Sequence, residues 1–173
     1  MRETPQFIKK ISPNSRIATF GQTNEWNSIF FEKGWVGQEE NYLFFKNLMD
    51  QNLNLIYGIN NTFSYAAVSP RRTTYIESLI KQNVAENENT LAFSKLSENL
   101  LDLTSTKYVI TTKTVESDRW KLIDKIDNSK TTFYLYLNSK SLPRAFAVNK
   151  YQTGKTLDQI VEILNSDNFD PNK

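Results

Sequence analysis

Three groups of side chains in this chain have the types and spacing to meet a ligand. The first is an aromatic run in which Trp26, Phe30, Phe31 and Trp35 stand among Asn24, Glu25, Asn27, Glu32 and Gln38. Indole rings suit the apolar C–H faces of a pyranose, and amide and carboxylate neighbours suit its rim of hydroxyls, so Trp26 and Trp35 read as a sugar contact. The same rings would equally serve to close one end of a sheet. The second group is Glu39-Glu40. Beside the aromatic run these acids would line the sugar's edge, and with Glu25 or Glu32 they would form a pair for glycoside hydrolysis, which needs two carboxyl groups roughly 5 to 10 Å apart across a cleft. Acids in the first turn of a helix are also explained by its dipole, and successive helical residues point in different directions. The third group is Arg71-Arg72 after Ser69-Pro70, where free backbone N–H groups and guanidinium forks would receive an anionic group, or simply form a solvated helix end. Asn60-Asn61-Thr62 has the form of an N-glycosylation acceptor, a three-residue pattern too common by chance to carry a role.

What the chain lacks narrows the chemistry further. Its 173 residues include no histidine and no cysteine. Nucleophilic sites that rely on an imidazole base are excluded, as are zinc, haem, iron–sulfur and thiol redox chemistry. Carboxylates, Lys, Tyr, backbone amides and oxygen-held hard cations remain. No catalytic residue, metal site or cofactor is expected. Lys plus Arg number 21 against 19 Asp plus Glu, and Lys9-Lys10 and Arg71-Arg72 are isolated pairs rather than a basic stripe, so a nucleic-acid partner is not expected. Mean hydropathy is −0.54, no window approaches 18 apolar residues, and Met1-Arg2-Glu3-Thr4-Pro5 does not start a signal peptide.

The elements that must position these groups follow from periodicity. Residues 1–15, punctuated by Pro5 and Pro13, read as a lead-in segment, and residues 16–173 as a single domain. Arg16-Ile17-Ala18-Thr19-Phe20, closed by Gly21, is a strand, and residues 21–37 form a long aromatic loop with room for a helical turn. Tyr42, Phe45, Leu48 and Met49 recur at helical spacing. Leu53, Leu55 and Tyr57 alternate as in a strand, and Ser69-Pro70 opens a helix whose stripe includes Tyr75 and Leu79. Residues 83–90 read as a surface loop, and the leucines from Leu91 to Leu103 as a helix. Strands are expected over 107–112, 120–126, 131–137 and 144–148, with Asp127-Asn128-Ser129-Lys130 as a hairpin connection. Thr156-Leu157-Asp158-Gln159 is a capping box for a last helix with Leu157, Ile160, Val161 and Leu164 on one stripe. The expected fold class is α/β or α+β, a single domain with a mixed sheet flanked by helices.

One long string gives the chain a likeness. Leu100-Leu101-Asp102-Leu103-Thr104-Ser105-Thr106-Lys107-Tyr108-Val109-Ile110-Thr111, a hairpin ending in a Tyr-rich strand, and then Leu142-Pro143-Arg144-Ala145-Phe146-Ala147-Val148 resemble the extracytoplasmic portion of bacterial YfhO-type membrane proteins. Leu55-Ile56-Tyr57-Gly58-Ile59 upstream and Asn168-Phe169-Asp170-Pro171 downstream fit in the same order, so the likeness covers most of residues 16–172. It departs at Ser64-Tyr65-Ala66-Ala67-Val68, where that family tends to a Gly-Tyr turn. The family is related to membrane glycosyltransferases of the GT-C class, whose catalytic acid lies in an early loop near the membrane, so no catalytic residue carries over to this chain. The resemblance implies a soluble extracytoplasmic piece of a polytopic protein at the cell membrane. Its partners would be the transmembrane portion of its own parent and a glycan or lipid-linked sugar acceptor. The domain would then bind the acceptor or act as a scaffold; a free-standing two-carboxylate hydrolase and a purely structural interaction module are the alternatives.

Overall fold

A computed structural model describes residues 4–50, 52–63, 68–127, 131–148 and 150–170. The departure at Ser64-Tyr65-Ala66-Ala67, the hairpin residues Asn128-Ser129-Lys130 and the closing Pro171 lie outside the described residues.

The lead-in segment carries a helix, α1 (Thr4–Ile11), with Pro5 in its first turn and Ile8 buried. Strand β1 (Arg16–Phe20) follows as expected. The stretch after Gly21 is more helical than its aromatic composition suggested: α2 (Gln22–Trp26) runs into a π-helical turn over Asn27–Phe31, which buries Ile29 and Phe30. Helix α3 (Glu39–Asn47) follows. Leu53–Tyr57 is a 3-10 helix rather than a strand. Asn52 and Gly58 at its two ends are left-handed, and Asn54 Nδ2 donates to the Ile59 carbonyl at 2.5 Å, which closes the segment on itself instead of extending it. Strand β2 (Asn60–Asn61) and helix α4 (Arg71–Gln82) come next, the latter starting directly after Pro70.

Residues 83–90 are not simply a loop. Strand β3 (Val84–Glu86) pairs antiparallel with β4 (Thr90–Phe93), so the helix expected from Leu91 begins only at α5 (Lys95–Leu103), where the Ser94 side chain caps Ser97 N–H. Strands β5 (Thr106–Thr111), β6 (Thr114–Val115), β7 (Trp120–Asp127) and β8 (Thr132–Asn138) complete two sheets. Residues 144–148 do not form the expected strand. The chain is pinned where Leu142 N–H donates to the Asp102 carbonyl, and beyond Pro143 it runs exposed with no sheet partner. Helix α6 (Leu157–Asn165) is capped by Thr156, which accepts from Gln159 N–H. The Gln159 side chain reaches back one residue further than a standard box, accepting from Lys155 N–H at 2.8 Å. Only the Val161 and Leu164 half of the α6 stripe packs inward; Leu157 and Ile160 stay exposed.

The main sheet has the order β2-β1-β5-β8-β7, with β1 parallel to β2 and β5, and β8 antiparallel to both β5 and β7. Side chains alternate across it with the strand period of two. Ile17, Tyr108, Ile110, Phe133 and Leu135 face a core shared with α1, the π-helical turn and α3. Ala18, Phe20, Val109 and Tyr136 face a second core closed by α4, α5, α6 and the small sheet β3-β4-β6. The protein is therefore a single α/β domain, a five-stranded mixed sheet between two helical layers.

Gly21 fixes how β1 ends. Its φ is +80°, and a Cβ there would stand 2.4 Å from Thr112 Oγ1 on the neighbouring chain. Gly21→Ala is expected to destabilise the domain by about 2 kcal/mol or more, from backbone strain plus the steric conflict. Urea unfolding of the two proteins checks this, and a loss within experimental scatter would contradict it.

Candidate functional site

Of the six residues singled out from sequence, Arg71 and Arg72 start α4 on the opposite face of the sheet from α3, while Trp26, Trp35, Glu39 and Glu40 lie on or next to the aromatic cluster at α2 and α3. Trp26, at the end of α2, is half-buried and surrounded by rings: Phe30 at 4.4 Å, Phe45 at 5.5 Å, Trp35 at 5.6 Å and Tyr42 at 6.4 Å between centroids. Its faces belong to the core. Trp35 lies on the outside of that cluster, 4.6 Å from Phe30 and 6.3 Å from Tyr42, and is 59% exposed. It has apolar company on the same stretch of chain. Phe31 is 82% exposed, Val36 95% and Leu43 57%. Folding has left these large side chains in water, although the rings beneath them are buried.

Glu39 and Glu40 are both exposed in the first turn of α3. Glu25 is held elsewhere, its carboxylate accepting from Thr131 Oγ1 at 2.9 Å. Arg71 and Arg72 are exposed in the first turn of α4, a helix packed on the opposite face of the sheet from α3. Thr62 and Asn61 serve the sheet edge, with Thr62 Oγ1 2.5 Å from Thr106 Oγ1 and Asn61 Oδ1 accepting from Phe63 N–H. None of Trp26, Trp35, Glu39, Glu40, Arg71 and Arg72 lines the recesses described next. None of Glu25, Glu32, Glu39 and Glu40 lines either of these two recesses.

Sequence reading missed a buried charge cluster. Asp102 is embedded in the apolar run of α5 with its side chain 1% exposed, and it meets Arg119 from the residue just before β7. Arg119 Nη1 also pairs with Glu98 at 3.1 Å, and its guanidinium lies 5.7 Å from the Trp120 ring. Trp120 Nε1 donates to the second Glu98 oxygen at 3.1 Å. Asn138, at the end of β8, donates from Nδ2 to Asp102 at 2.7 Å and to the Thr106 carbonyl at 3.0 Å. Burial pushes the Asp102 carboxyl above its ordinary range, against the opposing pull of Asn138 and Arg119. The available signal was a single acid inside Leu100-Leu101-Asp102-Leu103, since a charge on an apolar stripe must find a partner. This cluster forms the floor of an open polar cleft of about 800 Å³ whose walls include Lys95, Lys140, Asp167 and Phe169.

A second recess, of about 240 Å³, lies at the carboxyl end of β1 and is lined by Thr19, Phe20, Gly21, Gln22, Asp50, Lys81, Val84 and Glu86. Thr19 Oγ1 donates to Asp50 Oδ1 at 3.2 Å, and Glu86 pairs with Lys113 at 2.9 Å. Gln22 is buried, and its Nε2 has no hydrogen-bond partner among the described residues.

Among the described residues no group of three acidic, histidine or cysteine side chains is placed to hold a metal ion, and no helix is long and apolar enough to cross a membrane. No family model, no curated protein and no solved structure matches this chain.

Proposed function

We propose that this domain is a non-catalytic module of a GT-C-like polytopic membrane protein, held at the extracytoplasmic face of the cell membrane, and that it works as a scaffold docked through its Trp35 surface onto the transmembrane portion of its parent. The observation that carries this reading is the exposure of Phe31, Trp35, Val36 and Leu43, close in sequence just before and on α3, with the Trp35 ring packed against Phe30 and beside Tyr42. Water-facing aromatic side chains of this size are costly unless a partner covers them, and apolar surface of this kind marks interaction sites. Aromatic anchors backed by a packed core also bind with little loss of side-chain freedom. A glycan acceptor stacked on Trp35 is the second use of the same surface. It would have one open indole rather than two, because Trp26 is covered by its neighbours.

The absence of cysteine from the chain makes the test direct. Single Val36→Cys, Leu43→Cys and, as a control on β7, Leu122→Cys variants are labelled with a water-soluble maleimide, both in the isolated domain and in the membrane-embedded parent. In the isolated domain all three should react readily. In the parent, Val36→Cys and Leu43→Cys should slow by roughly an order of magnitude while Leu122→Cys keeps its rate, since an interface core excludes water. Equal rates at all three positions in the parent would overturn docking through this surface. A glycan that protects Val36→Cys in the isolated domain would instead favour the acceptor reading.

A further inference from the structure

A third recess lies at the amino ends of β1 and β5, and the charged side chains that line it, Lys107 and Arg144, are both positive. Ser15 and Ser105 stand one residue before these parallel strands, whose pairing begins at Arg16 and Thr106. The register then slips by one. Ile17 pairs with Tyr108, so β1 passes over Lys107, and β8 pairs with β5 only from Tyr108 onward. A bulge of this kind re-aims a side chain, and here Lys107 lines the recess. The far wall comes from the chain that leaves β8. The Asp102 carbonyl accepts from Ser105 N–H at 2.9 Å and from Leu142 N–H at 3.2 Å, which ties residues 141–144 to the end of α5. Leu142 is buried, and Arg144 follows it past Pro143 onto the wall.

Among the described residues no carboxylate lines this recess, and neither Lys107 nor Arg144 enters an ion pair. A third cation stands close by instead. Burial, and after it the Arg144 charge, hold the Arg16 guanidinium below its ordinary value, and Arg16 Nη1 donates to the Thr104 carbonyl at 3.0 Å. In a chain whose net charge is only +2, like charges gathered without a counter-charge create a local field that favours a negative partner. We infer that the recess binds a phosphate monoester, with Lys107 and Arg144 meeting its charge and the Ser105 and Ser141 hydroxyls and the Asn14 amide offering neutral donors. A monoester carries about 1.5 to 2 negative charges at neutral pH, which suits two cations, and its three free oxygens accept from more donors than the two of a carboxylate. A divalent cation would find no carboxylate here, and an apolar ligand would find only Leu142 and Pro143. The recess encloses about 630 Å³, more than a phosphate group fills, which leaves room for the organic part of the ester. It shares no residue with the Trp35 surface, so the docking module would carry a separate anion site.

The test is a titration of the isotope-labelled domain followed by amide NMR, with glycerol 3-phosphate and inorganic phosphate as probes and sodium acetate at matched ionic strength as the control. Cosedimentation with phosphatidylcholine vesicles, with and without phosphatidic acid, runs in parallel. Glycerol 3-phosphate should shift the Ser105, Lys107 and Arg144 backbone amides saturably, and acetate should not. Lys107→Gln and Arg144→Gln should each weaken binding about tenfold, the effect of losing one charged hydrogen-bond donor, while Lys121→Gln, exposed on β7 outside the recess, should leave it unchanged. The dispersion of the remaining amide signals confirms that each variant is folded, and Arg144→Gln, on an exposed stretch outside the sheets, decides the matter if Lys107→Gln does not fold. Cosedimentation that requires phosphatidic acid and is lost in Arg144→Gln would place the phosphate on a lipid headgroup; saturable shifts with glycerol 3-phosphate and no cosedimentation would place it on a free ester. No response to either source, an equal response to acetate, binding unchanged in Arg144→Gln, or an equal loss in Lys121→Gln would overturn the proposal. Cysteine protection at Val36 reads the docking surface independently of these outcomes.

Discussion

Replacing Arg119 by methionine is expected to destabilise the domain by about 3 to 5 kcal/mol at neutral pH, because it breaks a buried charge cluster from one side only. Arg119 alone faces both acids of the cluster, pairing with Glu98 at 3.1 Å and with Asp102 directly, and it donates to Asn138 at 3.4 Å. Methionine would fill much of the same space but leave the Asp102 carboxylate buried with only Asn138 to satisfy it. Asp102→Asn should cost less, about 1 to 2 kcal/mol, since it removes the buried charge along with the pair and still offers an oxygen to Asn138. Urea unfolding of the two variants orders them. A smaller loss for Arg119→Met than for Asp102→Asn would show that Arg119, not Asp102, is the group whose desolvation the cluster compensates.

The same cluster sets a pH dependence whose sign can be worked out. Burial holds the folded Asp102 carboxyl above its unfolded value, so between the two values the folded chain binds more protons than the unfolded one. The group therefore favours the fold at low pH, and that contribution is lost as pH rises through the folded value. Arg119 pulls the carboxyl down, so Arg119→Met lets it rise further. The gap between wild type and Arg119→Met should narrow as pH falls from neutrality, as the stranded carboxyl takes up a proton. A gap that widens on acidification would contradict this account of Asp102.

The legible parts of this fold are those where local and tertiary preferences agree. β1, β5, β7 and β8 were readable because each alternates or runs apolar in a sheet covered on both faces, and α4 and α6 because Pro70 and Thr156 mark their starts chemically. The failures have the opposite character. Leu53, Leu55 and Tyr57 alternate like a strand, but the left-handed Asn52 and Gly58 curl the segment into a 3-10 turn, and Leu55 and Ile56 face solvent. Residues 144–148 have strand composition, yet they run exposed beside Asn14, Ser15 and Lys107 without pairing to a strand among the described residues. The candidate sites were harder still. Adjacency in sequence placed Trp26, Trp35, Glu39 and Glu40 together, whereas packing took Trp26 into the core and left the two acids in open solvent. Gly21 and Thr112 meet because β1 and β5 are parallel neighbours, a juxtaposition no local pattern encodes.

Phe45→Ala should be the other large loss, about 3 to 5 kcal/mol, and it should reach the exposed Trp35 surface through the rings between them. Phe45 is 1% exposed and touches the rings of Trp26 at 5.5 Å, Phe30 at 5.9 Å and Phe133 at 5.7 Å, so its removal opens a cavity where α3 meets the sheet. Phe30 in turn supports Trp35, whose ring also meets Trp26 and Tyr42. Phe31→Ala is the matched control: the same residue type is deleted one position after Phe30, but from solvent, and stability should stay within about 0.5 kcal/mol. In a Trp120→Phe background only Trp26 and Trp35 report, and their emission should move to the red in Phe45→Ala and hold in Phe31→Ala. The two variants also separate scaffold from contact. Phe31→Ala should weaken docking without loosening the domain, whereas Phe45→Ala should do both, because the surface is only as rigid as the aromatic core behind it. If Phe45→Ala lowered stability while Trp26 and Trp35 kept their emission, the exposed surface would be supported by the α3 backbone rather than by the stacked rings.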